Sequence, residues 1–284
     1  MVKKTAVVVL AYDNAVMLKS LLGQLQSQTR KPDEVIIIDN SHSGDTQALM
    51  KDVFPEFRYC KMPYNKGSAG GYYEGIKLAI EHNDAVWLLD DDVAIDPGAL
   101  EELLKWLERL ERNCKVGAVR SWSARDCPFN GALKMDSFAW RGTLIKSEAI
   151  KYIGLPDPDF FLYGDDVEYS YRLIKNGFSL FWVASSRVIE QRRFDKKDLS
   201  FWGMNISVYR DNAKLYYSFR NNVFLFVSYG LWRKLFRNLL YAVKLIVLFV
   251  LTGQKQKRQA VNAIFSGIRD GYAGKLGFNR KYAL

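Results

Sequence analysis

The stretch AVWLLDDDV at residues 85–93 is an apolar run of strand length that ends in three adjacent carboxylates. Continuous apolar runs bounded by turn residues are typical of strands that are buried on both faces of a sheet. We therefore predict a strand at Ala85–Leu89. The same reasoning predicts strands at Thr5–Ala11, Glu34–Asp39, Phe57–Met62 and Val116–Arg120.

Helical patterns separate these predicted strands. The first is an amphipathic stretch that follows Ala11 and runs through Gln28. The others lie at Asp45–Val53, from the glycine turn at 65–71 to about His82, and at Pro97–Arg112. Proline suits the first turn of that last helix. Strands that alternate with helices predict an α/β fold with a Rossmann-like, mostly parallel sheet and helices on both faces. Ligands bind beyond the carboxyl ends of the strands in such sheets.

Composition excludes several classes of protein. The 284 residues are 49% apolar and 25% charged, which is globular and predicts one large domain or a domain with an appendage. Only His42 and His82 occur, both at expected surface positions, so a multi-histidine zinc site is excluded. We therefore expect carboxylates to carry out any acid–base chemistry. The three cysteines lack a CxxC spacing, which indicates reduced thiols in a cytosolic protein. The apolar N-terminus reads as a first strand rather than a signal peptide.

Charge is distributed unevenly along the chain. Residues 187–284 contain 19 Lys and Arg against 5 Asp and Glu, whereas the whole chain has a net charge of +10. Residues 1–186 therefore have a net charge of −4. This asymmetry favours an anionic partner for the C-terminal region, either nucleic acid or a membrane surface.

The segment 224–251 mixes large apolar residues with four basic ones, Arg233, Lys234, Arg237 and Lys244. Leu239–Leu251 as a helix would reach about 20 Å, against a hydrocarbon core of about 30 Å, so a span is not expected. We predict a helix that lies on an anionic membrane surface, with Trp232 and aromatic neighbours at headgroup depth, and no nucleic-acid partner. The alternative is a core helix with its basic face in solvent.

The triplet Asp90-Asp91-Asp92 follows the predicted strand directly. Adjacent carboxylates repel one another, and a bound Mg²⁺ or Mn²⁺ would offset that repulsion. Alternation in an extended chain places Asp90 and Asp92 on one side and Asp91 on the other. The alternative is a solvated acidic turn before the helix at Pro97.

Two further acidic positions also allow two interpretations. Asp39 ends the second predicted strand, where it would either form an Asp-Asn-Ser turn or accept the imide N–H of a uracil or thymine ring. Asp165 and Asp166 begin a helical pattern that ends at Gly177, so one of them would cap the helix or act as a general base. The turn from Asn65, which contains Gly67, lacks GxGxxG spacing but would bring backbone N–H groups to a phosphate or sugar.

Together these pieces resemble the family 2 glycosyltransferases of the GT-A fold, over about residues 5–180. The resemblance rests on VVVLAYDN (7–14), QSQTRKPDEVIIIDNS (26–41), NKGSAGGYYEGIKLA (65–79), VWLLDDDVAIDPGAL (86–100) and GLPDPDFFLYGDDVEYSYRLIKNGF (154–178). The bacterial branch with rhamnosyltransferases and galactofuranosyltransferases is the most similar, and YYSFRNN at 216–222 also looks like it.

The resemblance implies roles for individual residues. Asp39 would contact the nucleobase of a nucleoside-diphosphate sugar, and Asp90 and Asp92 would form the DxD element that binds Mn²⁺ or Mg²⁺. Asp166, beside Asp165, would deprotonate the acceptor hydroxyl in an inverting reaction. The remaining donor-site candidates are Asp91, Gly67, Trp140 and Gly142.

One departure from the family pattern concerns the metal. Relatives often have a histidine ligand after the strand that follows the Asp-Asp helix. This chain has SSRVIEQRRF at 185–194, where Glu190 would supply an oxygen ligand instead. Alternatively the donor diphosphate recruits the metal.

The resemblance therefore implies a catalytic domain at 1–200 and a basic, helical, membrane-associating region at 201–284. The expected activity is transfer of galactofuranose from UDP-galactofuranose to a lipid-linked saccharide in O-antigen or capsule synthesis. The expected location is the cytoplasmic face of the bacterial inner membrane, as a peripheral protein. The alternatives are a rhamnosyltransferase that uses dTDP-rhamnose, a nucleotidyltransferase, and a non-catalytic scaffold of a synthase complex.

Overall fold

A computed structural model describes residues 2–124, 126–191, 196–201, 204–209, 211–252 and 257–283. The chain forms two compact units. The first comprises Met1–Pro158 and Asp166–Arg192, and the second comprises Asp159–Asp165 and Arg193–Leu284. The predicted boundary at residue 200 is near the point where the second unit resumes, but the prediction did not assign the short segment Asp159–Asp165 to that unit.

The first unit is built on a mixed sheet, in the order β3-β2-β1-β4-β8-β6-β9-β5, with β7 also paired to β9. Strands β1 to β4 are parallel to one another, and β6 is parallel to β9. Strand β8 is antiparallel to both β4 and β6. The strands are β1 (Thr5–Ala11), β2 (Glu34–Asp39), β3 (Arg58–Lys61), β4 (Ala85–Asp90), β5 (Val93–Ile95), β6 (Val116–Trp122), β7 (Ala132–Met135), β8 (Thr143–Lys146) and β9 (Ser179–Glu190).

Helices cover both faces of this sheet, which confirms the predicted α/β architecture. They are α1 (Ala15–Gln26), α2 (Asp45–Asp52), α3 (Gly67–Ala79), α4 (Ala99–Glu111), α5 (Ser147–Ile153) and α6 (Asp165–Lys175). Alternate residues of the central strands enter two separate cores because side chains alternate across a sheet. Val7 and Trp87 pack with α1, α2 and α4, while Val8 and Leu88 pack with α3, α5 and α6.

The five strands predicted from apolar runs are all present, with ends that differ by two residues at most. The structure adds short antiparallel strands that the sequence analysis did not predict. Strand β8 has four residues, and its three buried ones, Thr143–Ile145, form too short a run to indicate a strand. Its position between β4 and β6 is set by pairing with both.

Helix α6 ends as the sequence predicts. Gly177 has φ +82°, its N–H bonds the carbonyl of Ile174, and the N–H of Phe178 bonds the carbonyl of Leu173. These two bonds define a Schellman motif, and Phe178 and Leu173 both enter the adjacent core.

Within its described residues, the second unit contains a hairpin of β10 (Lys196–Phe201) and β11 (Met204–Tyr209) and three α-helices. These are α7 (Asn212–Ser228), α8 (Trp232–Leu251) and α9 (Lys257–Tyr272). Helix α9 approaches the backbone of α7 at two glycines. A Cβ on Gly267 would lie 2.6 Å from the Tyr216 carbonyl oxygen, and one on Gly271 would lie 2.2 Å from that of Arg220.

Helix α8 has three faces. Ala242, Leu245, Leu248 and Phe249 are buried in the core of the second unit. The four predicted basic residues are exposed, and so is a stripe of apolar side chains. That stripe comprises Trp232, Phe236, Leu239, Leu240, Val243, Val247, Val250 and Leu251. Among the described residues, each helix is too short or too polar to cross a bilayer.

Candidate active site

Two of the predicted carboxylates lie at one edge of the sheet. Asp39 ends β2 beside Ala11 of β1, and Asp90 ends β4 beside Leu10 of β1. Because one strand separates them, their backbones are about 10 Å apart. The carboxyl ends of parallel strands thus bring residues from distant positions in the chain to a common edge.

The Asp39 carboxylate is fully buried and accepts three hydrogen bonds. Its Oδ2 accepts from the Tyr59 hydroxyl at 2.6 Å and from Lys61 Nζ at 3.1 Å, and its Oδ1 accepts from the Ser41 N–H at 2.8 Å. Burial and the bond to Asp39 raise the pKa of the Tyr59 hydroxyl. The turn bond to Ser41 is the local role predicted from Asp-Asn-Ser, so any nucleobase contact would add to these bonds or replace one of them.

Gly67 begins α3 with φ +70° and connects two asparagines. Its N–H donates to Asn65 Oδ1 at 2.8 Å, and its carbonyl accepts from Asn40 Nδ2 at 2.8 Å. Further along α3, a Cβ on Gly71 would lie 2.3 Å from Leu10 Cδ1. Glycine is therefore needed at position 67 for the turn and at position 71 for the close contact of α3 with β1.

Asp90 lies on the same face of the sheet as α3. Its Oδ1 accepts from the Tyr72 hydroxyl at 2.5 Å, and the charges of Arg141 and Arg120 act on it. Burial raises the pKa of the Asp90 carboxyl, and the Tyr72 bond and the two arginines oppose that rise.

Asp91 faces the other way, as strand alternation predicts. Its carboxylate accepts from the Tyr12 N–H at 2.7 Å and from Asn14 Nδ2 at 3.4 Å. Burial, with smaller contributions from the charges of Asp92 and Asp90, raises the pKa of Asp91 to about 7. Asp91 therefore joins the end of β4 to the loop after β1.

Asp166 lies in the first turn of α6, where its Oδ1 accepts the Val167 N–H at 2.7 Å. Burial raises its pKa to about 6, while that bond and the Arg120 guanidinium favour the ionised form. The Asp90 charge acts in the opposite direction. Asp166 and Asp90, 76 positions apart in sequence, therefore belong to one electrostatic cluster.

Arg120 is central to this cluster, and it is not among the site residues predicted from the sequence. It is buried on β6, its Nε donates to the Arg141 carbonyl at 3.2 Å, and its guanidinium lies 4.2 Å from the Trp182 ring centre. Burial and the charge of Arg141 lower the pKa of Arg120 to about 10, against the opposing effect of Asp166 and Asp90. The sequence feature that could have identified Arg120 is its position as a charged residue at the end of a predicted buried strand.

Glu190 ends β9 opposite Val93 of β5, next to the acidic triplet. Its Oε2 pairs with Arg141 at 2.9 Å. The Gln191 N–H donates to the Asp92 carbonyl at 2.8 Å, which continues the pairing of the two strands. The structure thus places Glu190 at the predicted edge, and its ion pair with Arg141 competes with a metal-ligand role.

Trp140 and Gly142 lie before β8. Trp140 is buried among aromatic rings, with centroid distances of 5.5 Å to Tyr72 and 5.2 Å to Tyr169. Gly142 has φ +78°, and its N–H donates to the Leu88 carbonyl at 2.7 Å. Trp140 supports the side of the site around Asp90, because Tyr72 contacts Trp140 and Asp90 alike. Gly142 bonds to β4 two residues before Asp90.

Among the described residues, His, Cys, Asp and Glu side chains form no group of three or more that would hold a metal ion. Asp90 and Asp92 offer oxygen donors, the type that Mg²⁺ and Mn²⁺ prefer. Because burial raises the pKa of Asp90 and Asp91, added positive charge would stabilise their ionised forms. A divalent cation therefore fits this site in donor type and charge, provided the ligand supplies further oxygens.

Comparison with known proteins defines the class. Residues 6–149, just over half of the chain, match the family described as glycosyl transferase family 2. The chain belongs to this family, and it is a glycosyltransferase enzyme.

Two similar curated proteins are galactofuranosyltransferases named GlfT1. The protein of Mycolicibacterium smegmatis is 25% identical over 261 residues, which are 80% of this chain and 84% of that protein. The protein of Mycobacterium tuberculosis is 28% identical over 240 residues, which are 75% of this chain and 79% of that protein.

Solved structures confirm the GT-A fold. Staphylococcus aureus TarS has a TM-score of 0.53 at 15% identity, and GalNAc-T7 with UDP, GalNAc and Mn²⁺ has a TM-score of 0.56 at 14% identity. They cover 68% and 67% of this chain. The chain spans only 37% and 43% of their lengths, so this likeness concerns the fold alone.

Proposed function

We propose that this enzyme transfers galactofuranose from UDP-galactofuranose to a hydroxyl of a lipid-linked saccharide, with inversion at the anomeric centre. The observation that carries the proposal is the cluster of Asp166, Arg120 and Asp90. It combines a half-buried carboxylate whose pKa is about 6 with carboxylates suited to a cation–diphosphate complex. The names of the GlfT1 relatives favour the galactofuranose donor over dTDP-rhamnose.

In this proposal Asp166 takes the proton of the acceptor hydroxyl as the hydroxyl attacks the anomeric carbon. Its pKa of about 6 leaves it mostly ionised at pH 7 while keeping it a better base than an exposed aspartate. Arg120 favours the ionised form before the reaction. Asp39, at the end of β2, would contact the nucleobase, and the Gly67 turn would face the donor.

Asp90 and Asp92 would hold Mn²⁺ or Mg²⁺, and Glu190 is the further oxygen ligand that we propose. When bound, the cation supplies positive charge that stabilises the diphosphate leaving group. GalNAc-T7, a structural relative of the same fold, was solved with Mn²⁺.

We further propose that helix α8 lies on the cytoplasmic face of the bacterial inner membrane, as part of O-antigen or capsule synthesis. Its exposed apolar stripe is flanked by the exposed side chains of Arg233, Arg237 and Lys244. An apolar face beside basic residues is typical of helices that bind anionic bilayers from the surface. Such binding would keep the enzyme beside a lipid-anchored acceptor.

The direct test supplies purified protein with Mn²⁺, acceptor and either UDP-galactofuranose or dTDP-rhamnose, and measures the nucleoside diphosphate released. Asp166→Asn should lower kcat by about 10²- to 10⁴-fold because it removes the base. Asp136→Asn makes the same chemical change at an exposed position and should leave kcat unchanged.

Three results would contradict parts of the proposal. Undiminished turnover by Asp166→Asn would show that Asp166 is not the general base. Release of dTDP alone would show that dTDP-rhamnose is the donor, and release of pyrophosphate would indicate a nucleotidyltransferase.

A further inference from the structure

The segment that precedes Asp166 has an unusual backbone. Phe161, Tyr163 and Gly164 have φ values of 61°, 67° and 84°. Residues with side chains rarely adopt such values, and they persist only where the surroundings hold them. This segment, Asp159–Asp165, belongs to the second unit, whereas Asp166 belongs to the first.

Two neighbouring residues of α7 hold this segment by its carbonyl groups. Arg220, fully buried, donates from Nη2 to the Phe160 carbonyl at 2.8 Å and to the Asp159 carbonyl at 3.2 Å. Asn221, also fully buried, donates from Nδ2 to the carbonyls of Phe160 at 2.9 Å, Leu162 at 2.8 Å and Tyr163 at 2.7 Å.

The two side chains also hold each other. Arg220 Nε donates to Asn221 Oδ1 at 2.8 Å, and Arg220 Nη1 donates to the carbonyl of Gly277. The Asn221 amide is thereby oriented with its N–H groups toward the segment. A Cβ on Gly164 would lie 3.4 Å from Asn221 Cβ, so the backbone passes close to this side chain.

Two aromatic side chains of the segment pack against aromatic rings of the second unit. The Phe161 ring packs against Tyr217 at 4.8 Å and Phe278 at 5.2 Å between centroids. The Tyr163 ring stacks on Tyr209 at 5.2 Å. Ring packing therefore holds the two non-glycine residues with positive φ, while hydrogen bonds hold the carbonyls on both sides of Phe161.

Burying a guanidinium and an amide is unfavourable unless their hydrogen bonds are satisfied. Here both groups donate to backbone carbonyls, and Arg220 also donates to Asn221; four of these carbonyls lie within five consecutive residues. Such an arrangement specifies a backbone path. The path ends at Asp165, whose peptide bond leads directly to Asp166.

We infer that Arg220 and Asn221 are positioning residues for Asp166: they fix Asp159–Asp165 and so set where the candidate base enters α6. This inference rests on the proposed function of Asp166. It gives the C-terminal unit a part in turnover that is separate from membrane binding. The FRN sequence at 219–221 is then required even with a soluble acceptor.

The test uses the full chain with Asn221→Asp, which preserves size and the acceptor for Arg220 but replaces the donor with an oxygen. Backbone amide exchange at 159–168 should become faster than in the unmodified enzyme. The kcat should fall by about 10²-fold, since small misplacements of a reacting group have effects of that size. The donor KM should change by less than about threefold, because donor binding does not depend on the base.

Asn222→Asp is the matched control, since it makes the same chemical change one residue later, at a half-buried position. Both readouts should stay unchanged. Arg220→Lys serves as a second variant if Asn221→Asp fails to fold, and it should show the same split between kcat and KM. Unchanged exchange in the folded variant would overturn the claim that these residues hold the segment.

An unchanged kcat in Asn221→Asp, with Asp166→Asn inactive, would overturn this inference alone. If Asp166→Asn retained turnover, the proposed function would fail, and the positioning role would fail with it. The amide exchange does not depend on any substrate, so it reports the structural step separately.

Discussion

At the scale of single residues, the chemistry of the site depends on how burial and a few neighbouring charges set the pKa values of its carboxyl groups. Asp166 is the clearest case, because burial raises its pKa to about 6 while Arg120 favours its ionised form. A general base acts only when deprotonated. We therefore expect kcat/KM to rise with pH and to reach half its maximum near pH 6, as measured in a pH–rate profile.

Removing the positive charge of Arg120 tests whether this arginine controls the pKa of Asp166. Arg120→Gln should move the acid limb of the profile to higher pH by about 1 unit, because an opposite charge nearby lowers the pKa of a carboxyl. Arg112→Gln removes an equal charge from the exposed end of α4 and should leave the limb in place. An acid limb that stays fixed in Arg120→Gln would show that this arginine does not control Asp166.

The sequence predicted the acidic half of this cluster and missed the basic half. Asp90 and Asp166 stand out because carboxylates follow a strand or begin a helix in recognisable local patterns. Arg120 ends a predicted strand, but its relation to the carboxylates, like that of Arg141, arises from pairing between β4, β8 and β6. Their charges could not be placed beside Asp166 before that pairing was known.

At the scale of elements, glycines decide how closely helices approach. A Cβ on Gly271 of α9 would lie 2.2 Å from the Arg220 carbonyl oxygen, whereas one on Gly23 of α1 would meet nothing within 4 Å. Gly271→Ala should lower the free energy of unfolding by about 1–3 kcal/mol, as overpacking does. Gly23→Ala should raise it by about 0.5–1 kcal/mol, because alanine favours a helix interior.

Chemical denaturation of both variants measures these changes. Equal effects of the two substitutions would contradict the close packing of α7 and α9. The end of α6, by contrast, was predictable from sequence, since Gly177 acts through a local Schellman motif.

At the scale of the whole molecule, the net charge of +10 is concentrated in the C-terminal region. If α8 binds a bilayer surface, the full chain should co-sediment with anionic vesicles more than with neutral ones, and added salt should weaken the binding. Arg237→Glu combined with Lys244→Glu should weaken binding to anionic vesicles at least about 30-fold, since each basic residue contributes about 1 kcal/mol.

The control is Lys19→Glu combined with Lys51→Glu, which changes the net charge equally on exposed residues of the first unit. It should bind almost as well as the unmodified chain. Equal binding of all forms to neutral and anionic vesicles would remove the electrostatic part of the membrane proposal.

The sequence by itself determined the central strands, most helix ends, the carboxylates at the strand ends and the family, because each depends on residues close together in the chain. Tertiary structure decided the antiparallel position of β8, the arginines whose charges act on Asp90 and Asp166, and the placement of Asp159–Asp165 in the second unit. These features depend on contacts between residues 20 to 60 or more positions apart, such as Arg120 with Arg141 and Asn221 with Phe160. Local periodicity carries no information about such pairs, since many long-range pairings satisfy the same pattern of buried and exposed positions.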